Sequence, residues 1–251
     1  HIMLIPWRNH SLIGTTDKEY KGNPDDYKIT KESIQELIDE VNENYGIKKL
    51  KYSDIKFAYG GLRPLVDNQT EASYESSRKY EITDHVKEGM DGLITVEGGK
   101  YTTSRNLAYH LVNKIAKKLH KKVGKSISKK KYLVNSDIKN MESFIKQLAL
   151  RYPMFSDATI NYVGRNYGLQ CHTIFRLAMY DKTLSKVITE DGEILAEVVY
   201  VIKKEMAHTL SDILFRRTGI GTLGYPGDET FNKVVEITKE YLKWDDSRTR
   251  K

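Results

Sequence analysis

The chain has 251 residues, enough for one large core or two smaller ones, and its 39% hydrophobic and 30% charged content is that of a globular polypeptide. A single cysteine, Cys171, excludes an internal disulfide and a cysteine-based zinc site. No apolar run approaches the ~20 residues that span a bilayer, so a reducing, cytoplasmic setting is expected. The net charge of +7 is concentrated, with nine lysines and no acidic residue between Lys114 and Lys131. The residues between those lysines are mostly Ile, Leu, Val, Gly and Ser rather than the arginines and aromatics that read or stack bases, which disfavours nucleic acid.

In chain order, Ile2–Ile5 and Ser11–Ile13 are short apolar pieces bounded by Pro6 and Gly14, as strand ends are. Thr30 is placed to cap a helix in which Ile34, Leu37, Ile38 and Val41 recur at helical spacing, and Gly46 stops it. Asp54–Tyr59 alternates like a strand, and Leu93–Val96 is a further strand candidate. From Thr102 the period changes to 3.6, with Leu107, Leu111, Ile115 and Leu119 on one stripe. Beyond the lysine-rich segment only helices are read. One has a face of Ile138, Met141, Ile145 and Leu148, and a second is capped by Ser156. Others run over Leu169–Tyr180, from Glu193 to about Arg217, and over Glu229–Leu242. The expected class is α+β, with a strand-rich part over 1–124 and an all-helical C-terminal domain over 125–251 that holds no convergent polar cluster.

Motifs of chemistry are sparse. Glu205-Met-Ala-His208 has Glu-x-x-His spacing, but a carboxylate-bridged metal pair needs two such elements and no metal site is assigned. Gly98-Gly-Lys100 stands between a strand and a helix start. Two glycines let the backbone turn sharply and approach a ligand, Thr102 or Thr103 can open the helix, and the first amides of a helix favour an electron-rich group. Lys100 adds a full charge beside them. It is no nucleotide P-loop, because Ile94 and Tyr101 occupy positions that need Gly and Ser or Thr. Arg63, stiffened between Gly61 and Pro64, and Arg78, in a Ser- and Tyr-rich stretch, are two further cations suited to a phosphate.

Taken in order, Ile5-Pro-Trp7, Ile13-Gly-Thr-Thr-Asp17, Gly61-Leu-Arg-Pro-Leu65, Ser77-Arg-Lys-Tyr80 and Gly98-Gly-Lys-Tyr-Thr-Thr-Ser-Arg105 resemble the FAD-dependent glycerol-3-phosphate dehydrogenases. The resemblance continues through Leu150-Arg-Tyr-Pro153, Ala196-Glu-Val-Val-Tyr200 and Leu214-Phe-Arg-Arg-Thr218. It implies a flavoenzyme that oxidises sn-glycerol 3-phosphate to dihydroxyacetone phosphate and passes electrons to a quinone. The alternatives are an oxygen-using glycerophosphate oxidase, another FAD-dependent enzyme of the superfamily, or a non-catalytic polyanion-binding module.

By the same resemblance residues 1–124 are a partial FAD-dependent oxidoreductase domain that faces substrate and flavin, in which Gly98, Gly99, Lys100, Thr102 and Thr103 face the flavin. Arg63, Arg78 and Lys100 bind substrate, and Arg63 is the catalytic cation. No G-x-G-x-x-G, the Gly-rich βαβ fingerprint for the FAD pyrophosphate, is read in this chain, nor is the family's upstream histidine. The chain is therefore expected to be the C-terminal portion of such an enzyme, inactive without an N-terminal FAD-binding portion. It is expected to be cytoplasmic, with a possible contact to the acidic inner face of the membrane.

Overall fold

The computed structural model describes residues 2–16, 18–45, 49–62 and 80–249. They fall into two compact units that interleave along the chain. The first comprises His1–Glu19, Lys28–Gly60 and Leu133–Lys251, and the second Tyr20–Tyr27 and Gly61–Tyr132. The helical C-terminal part thus shares its unit with two N-terminal segments, whereas the sequence reading divides the chain once, after residue 124.

The first unit opens with an antiparallel hairpin of β1 (Met3–Trp7) and β2 (His10–Gly14), in the register Met3↔Gly14 to Trp7↔His10. Strand β1 continues through Pro6, which pairs opposite Ser11 instead of ending the strand. Helix α1 (Lys31–Asn44) starts where expected. The Thr30 hydroxyl accepts the Ser33 N–H at 3.2 Å and the Ser33 hydroxyl accepts the Thr30 N–H at 3.2 Å, two orphan donors satisfied reciprocally. Ile38 and Val41 are its buried residues. Gly46, the expected stop, lies outside the described residues. Asp54–Tyr59 forms no strand: Tyr52–Asp54 is a 3-10 turn and no ladder partner takes up the residues after it. Alternation alone supplies a face but no neighbour to pair with.

The core of this unit lies in its helices. Asn140 caps one helix by accepting the Ser143 N–H at 2.8 Å, and Ser156 caps the next by accepting the Thr159 N–H at 3.2 Å. These are α3 (Met141–Arg151) and α4 (Asp157–Tyr167), which follow α2 (Ser104–Lys118) of the second unit in chain order. They cross closely at Gly164, where a Cβ would stand 2.6 Å from Ile145 Cδ1 and 2.9 Å from Leu148 Cδ1. Helix α5 (Cys171–Tyr180) follows, and then α6 (Leu195–Lys204), buried on every side from Leu195 to Val201. A helix apolar all round belongs at the centre, and α5 and α7 (Asp228–Leu242) pack against it. Each fully buried Val, Ile or Phe of this set contributes roughly 1.5–3 kcal/mol.

The long helix expected over 193–217 is broken. Met206 takes a left-handed φ of 57°, and a new turn starts where the Asp212 carboxylate accepts the His208 and Thr209 N–H groups at 3.1 and 3.0 Å. The chain then winds as a π-helical stretch, Asp212–Arg217. A short α8 (Asp246–Thr249) follows α7.

The second unit is a hairpin and one helix. Strand β3 (Tyr80–Asp84) pairs antiparallel with β4 (Ile94–Gly98), from Tyr80↔Gly98 to Asp84↔Ile94, and α2 (Ser104–Lys118) follows a short 3-10 turn. The expected apolar stripe on α2 is present in register but little buried. Ala116 is its single buried residue, and Leu119 is 61% exposed. Polar contacts hold the helix to the hairpin. The Lys118 ammonium lies 2.9 Å from Asp84 and 2.5 Å from Asp91, and Lys114 donates to the Ile82 carbonyl at 3.0 Å.

Candidate functional site

In the second unit the Gly-Gly-Lys corner has the geometry its sequence suggests. Strand β4 ends on Gly98 at φ 70°, Gly99 follows at φ 91°, and Lys100 returns to an extended conformation at φ −132°. Two successive left-handed residues are inexpensive only for glycine. At Gly99 a Cβ would also stand 3.4 Å from Tyr80 Cβ on the paired strand. The Thr103 hydroxyl closes the turn, accepting the Lys100 N–H at 3.2 Å and donating to the Lys100 carbonyl at 3.0 Å. Lys100, Tyr101 and Thr102 are exposed at this turn. Among the described residues Lys100 has no ion-pair partner. The structure therefore brings Gly98, Gly99, Lys100, Thr102 and Thr103 into one exposed corner. Arg63 and Arg78 lie outside the described residues.

In the first unit the helical part does hold a convergent polar cluster, contrary to the sequence expectation. The Arg8 guanidinium, from the tip of the β1–β2 hairpin, donates to Asp191 Oδ2 at 2.6 Å and Glu193 Oε2 at 2.8 Å. It also donates to the Gly219 carbonyl at 2.5 Å and Thr222 Oγ1 at 2.8 Å. The other Glu193 oxygen accepts the Tyr162 hydroxyl at 2.6 Å. One turn along, Glu197 accepts the Ile194 N–H at 2.9 Å and faces the Tyr167 hydroxyl, while its Oε2 has no hydrogen-bond partner. Burial, reinforced by the neighbouring Glu193 charge, pushes the Glu197 carboxyl up to about 8. One guanidinium thus compensates two carboxylates, and the third keeps its proton at neutral pH.

The cluster borders an open cleft of about 730 Å3 lined by Arg8, Tyr162, Tyr167, Arg165, Glu205 and Arg217. A readable signal existed. Glu193 and Glu197 stand four apart in an otherwise apolar run, where charged residues need partners. Cys171 is buried with its thiol pushed up to about 12 by desolvation, so it is no nucleophile. Among the described residues no group of His, Cys, Asp and Glu is arranged to hold a metal.

The pattern G-x-G-x-x-G does occur, as Gly219-Ile-Gly-Thr-Leu-Gly224. It follows the π-helical stretch rather than a strand, and it opens no helix before Asp228. The Gly219 carbonyl is occupied by Arg8, so this is a packing segment and not a dinucleotide loop.

A family model described as the C-terminal domain of alpha-glycerophosphate oxidase matches residues 94–249. The aerobic glycerol-3-phosphate dehydrogenase of Escherichia coli is 31% identical over 224 residues, 88% of this chain and 44% of that protein. The glycerol-3-phosphate dehydrogenase of Synechocystis is 30% identical over 222 residues, 86% of this chain and 39% of that protein. The chain spans less than half the length of these relatives. Among solved structures, the glycerol-3-phosphate dehydrogenase of Bacillus halodurans, complexed with FAD, superposes with a TM-score of 0.79 at 20% identity. That match covers 99% of this chain and 48% of the other, a shared fold. With the family model matching more than half of its length, the chain belongs to the glycerol-3-phosphate dehydrogenase and alpha-glycerophosphate oxidase family and carries the C-terminal domain of that family.

Proposed function

We propose that this chain is the C-terminal portion of an FAD-dependent enzyme that oxidises sn-glycerol 3-phosphate to dihydroxyacetone phosphate. The observation that supports it best is the corner itself. Two left-handed glycines run into an exposed helix start beside a lysine with no ion-pair partner among the described residues, in a chain of this family. The groups present suit the carbonyl edge of a flavin ring, while the described residues offer no strand–turn–helix loop for its pyrophosphate. FAD, when bound, accepts the hydride lost from C2 of the substrate. The chain's own part is electrostatic. The first-turn amides at Tyr101 and Thr102 stabilise negative charge at the ring's N1/C2 carbonyl edge, and Lys100 and Arg78 hold the phosphate. Arg63 stabilises the alkoxide-like charge that develops at the reacting carbon.

Steady-state kinetics on the full-length enzyme test this. Arg63→Ala is expected to lower turnover by roughly 100-fold, the scale of one lost preorganised donor. Arg78→Ala is expected mainly to raise KM, with glycerol as the phosphate-free comparison. Near wild-type kinetics in both variants refutes the assignment.

The electron acceptor is proposed to be a quinone. The family's oxidase members supply the competing reading, and oxygen uptake without added quinone decides for them. Membrane contact is proposed at the lysine-rich segment. Lys117, Lys121, Lys122, Lys125, Lys129, Lys130 and Lys131 are exposed, as are Leu119, Val123 and Ile127 among them. No helix among the described residues is long and apolar enough to cross a membrane, so the contact would be a surface one. Salt-sensitive cosedimentation with anionic but not zwitterionic vesicles is expected. An equal response to RNA favours the polyanion-binding alternative.

A further inference from the structure

The two residues at the tip of the β1–β2 hairpin, Arg8 and Asn9, stand at positive φ, 49° and 58°. Two-residue hairpin turns of this kind favour Asn-Gly, and a long side chain in the left-handed region is uncommon. Burial does not hold the hairpin. All five residues of β1 are exposed, and none of β2 is fully buried. A two-stranded hairpin is marginal by itself. The fixed point is the Arg8 guanidinium, with its four acceptors on Asp191, Glu193, Gly219 and Thr222 and its carbon 5.5 Å from the centre of the Tyr162 ring. The seat leaves no spare room. A Cβ on Gly219 would stand 2.3 Å from Tyr162 Oη, 2.6 Å from Arg8 Nη1 and 2.7 Å from Glu193 Oε1. Asp191 and Glu193 precede the central helix α6, and Gly219 and Thr222 follow the π-helical stretch beyond it.

We infer that Arg8 is a positioning residue: it fastens the hairpin tip to the buried carboxylate beside α6 and so fixes how the hairpin is presented in the full-length enzyme. Strand β1 carries Ile5-Pro-Trp7 and β2 leads into Ile13-Gly-Thr-Thr16, motifs that the family resemblance places in the flavin-facing part. The tether follows from the geometry alone, while its effect on turnover rests on the function proposed above. Lysine is a poor substitute, because a compact ammonium with three donors does not reach four acceptors spread around a planar fork.

Arg8→Met alone strands the buried Glu193 without a cation and is expected to lose stability. The test therefore rests on Arg8→Met/Glu193→Gln, which removes the fully buried charge together with the tether and leaves only the partly solvated Asp191 unpaired. In this chain, hydrogen exchange of peptides over 2–14 is expected to accelerate at least about tenfold in the double variant, while peptides over α6 keep their protection. Unchanged hairpin protection overturns the tether. In the full-length enzyme, kcat/KM for glycerol 3-phosphate is expected to fall about tenfold at unchanged FAD content, with Arg8→Lys restoring only part of it. If kcat/KM returns to wild type in the double variant as stability recovers, Arg8 is structural and the positioning role is refuted. If the wild-type full-length enzyme does not oxidise glycerol 3-phosphate, the proposed function falls and the exchange measurement alone decides the tether.

Discussion

Replacing Glu197 with glutamine isolates the most unusual charge in the helical core. Glu197 is 1% exposed, with one carboxyl oxygen on the Ile194 N–H and the other without a hydrogen-bond partner among the described residues. Its pKa is raised from 4.5 to about 8 by burial and by Glu193. Below 4.5 the folded and unfolded chains both hold the proton. Between 4.5 and about 8 the unfolded chain releases it while the folded chain keeps it, so stability declines as pH rises, by about 1.4 kcal/mol per pH unit. Above about 8 the folded carboxyl ionises too and the decline levels off, after a total of ~5 kcal/mol. Glutamine has no proton to lose. Its carbonyl can keep the Ile194 bond, but its amide buries a donor beside Glu193 and Tyr167 at a cost of ~1–3 kcal/mol if unsatisfied. Glu197→Gln is therefore expected to be the less stable protein near pH 5 and the more stable one near pH 8, by ~2–3 kcal/mol, crossing at about pH 6. Urea unfolding followed by circular dichroism at several pH values between these limits measures both curves. Parallel curves across the range would mean that Glu197 is ionised in the folded protein, and the charge count around Arg8 would be wrong.

Other parts of the fold make independent demands. Gly192 is buried at φ 100°, and a Cβ there would lie 2.5 Å from the backbone of Ala158 and Thr159, so Gly192→Ala should cost about 3 kcal/mol or more by thermal or urea unfolding. Loss below about 1 kcal/mol would show that the start of α4 can shift to accommodate it. Phe175 is fully buried against Tyr152 and Phe155, with ring centres at 4.6 and 4.9 Å, and Phe175→Ala should cost ~3–5 kcal/mol in the same assay. The domain boundary is proposed to lie in the lysine-rich stretch. Limited trypsin digestion should cut first between Lys121 and Lys131, and early cuts inside α3 to α7 would count against it.

Local order was the part of this fold that the sequence displayed. Thr30 and Ser156 cap as their positions suggest, because a cap is a contact with residues two or three places away. The break after α6 is equally local, although the apolar run over 193–217 reads as one continuous helix. Thr209-Leu-Ser-Asp212 has the spacing of a capping box, and Asp212 donates no help to a continuous helix because it accepts the amides that start a new turn. Asp54–Tyr59 marks the opposite limit, since alternation describes a strand's faces and says nothing of a partner.

The site divides along the same line. The Gly98-Gly99-Lys100 corner was legible because the positive φ values, the hydroxyl closure by Thr103 and the helix start all arise within a few residues of one another. The Arg8 cluster was not, because its ion-pair partners lie 183 and 185 residues away, and nothing near Arg8 distinguishes it from a surface arginine. What the sequence did contain was the other half of the pair. Two glutamates four residues apart in an apolar run cannot both remain ionised in a core without a cation, so at least one distant arginine or lysine, or one retained proton, was required. The structure supplies Arg8 for Glu193, and burial raises the Glu197 carboxyl to about 8, which favours its protonated form at neutral pH. Gly219-Ile-Gly-Thr-Leu-Gly224 shows why context decides meaning: the same letters that cradle a pyrophosphate after a strand here leave room for a guanidinium, because a tyrosine, an arginine and a glutamate already occupy the space a side chain would need.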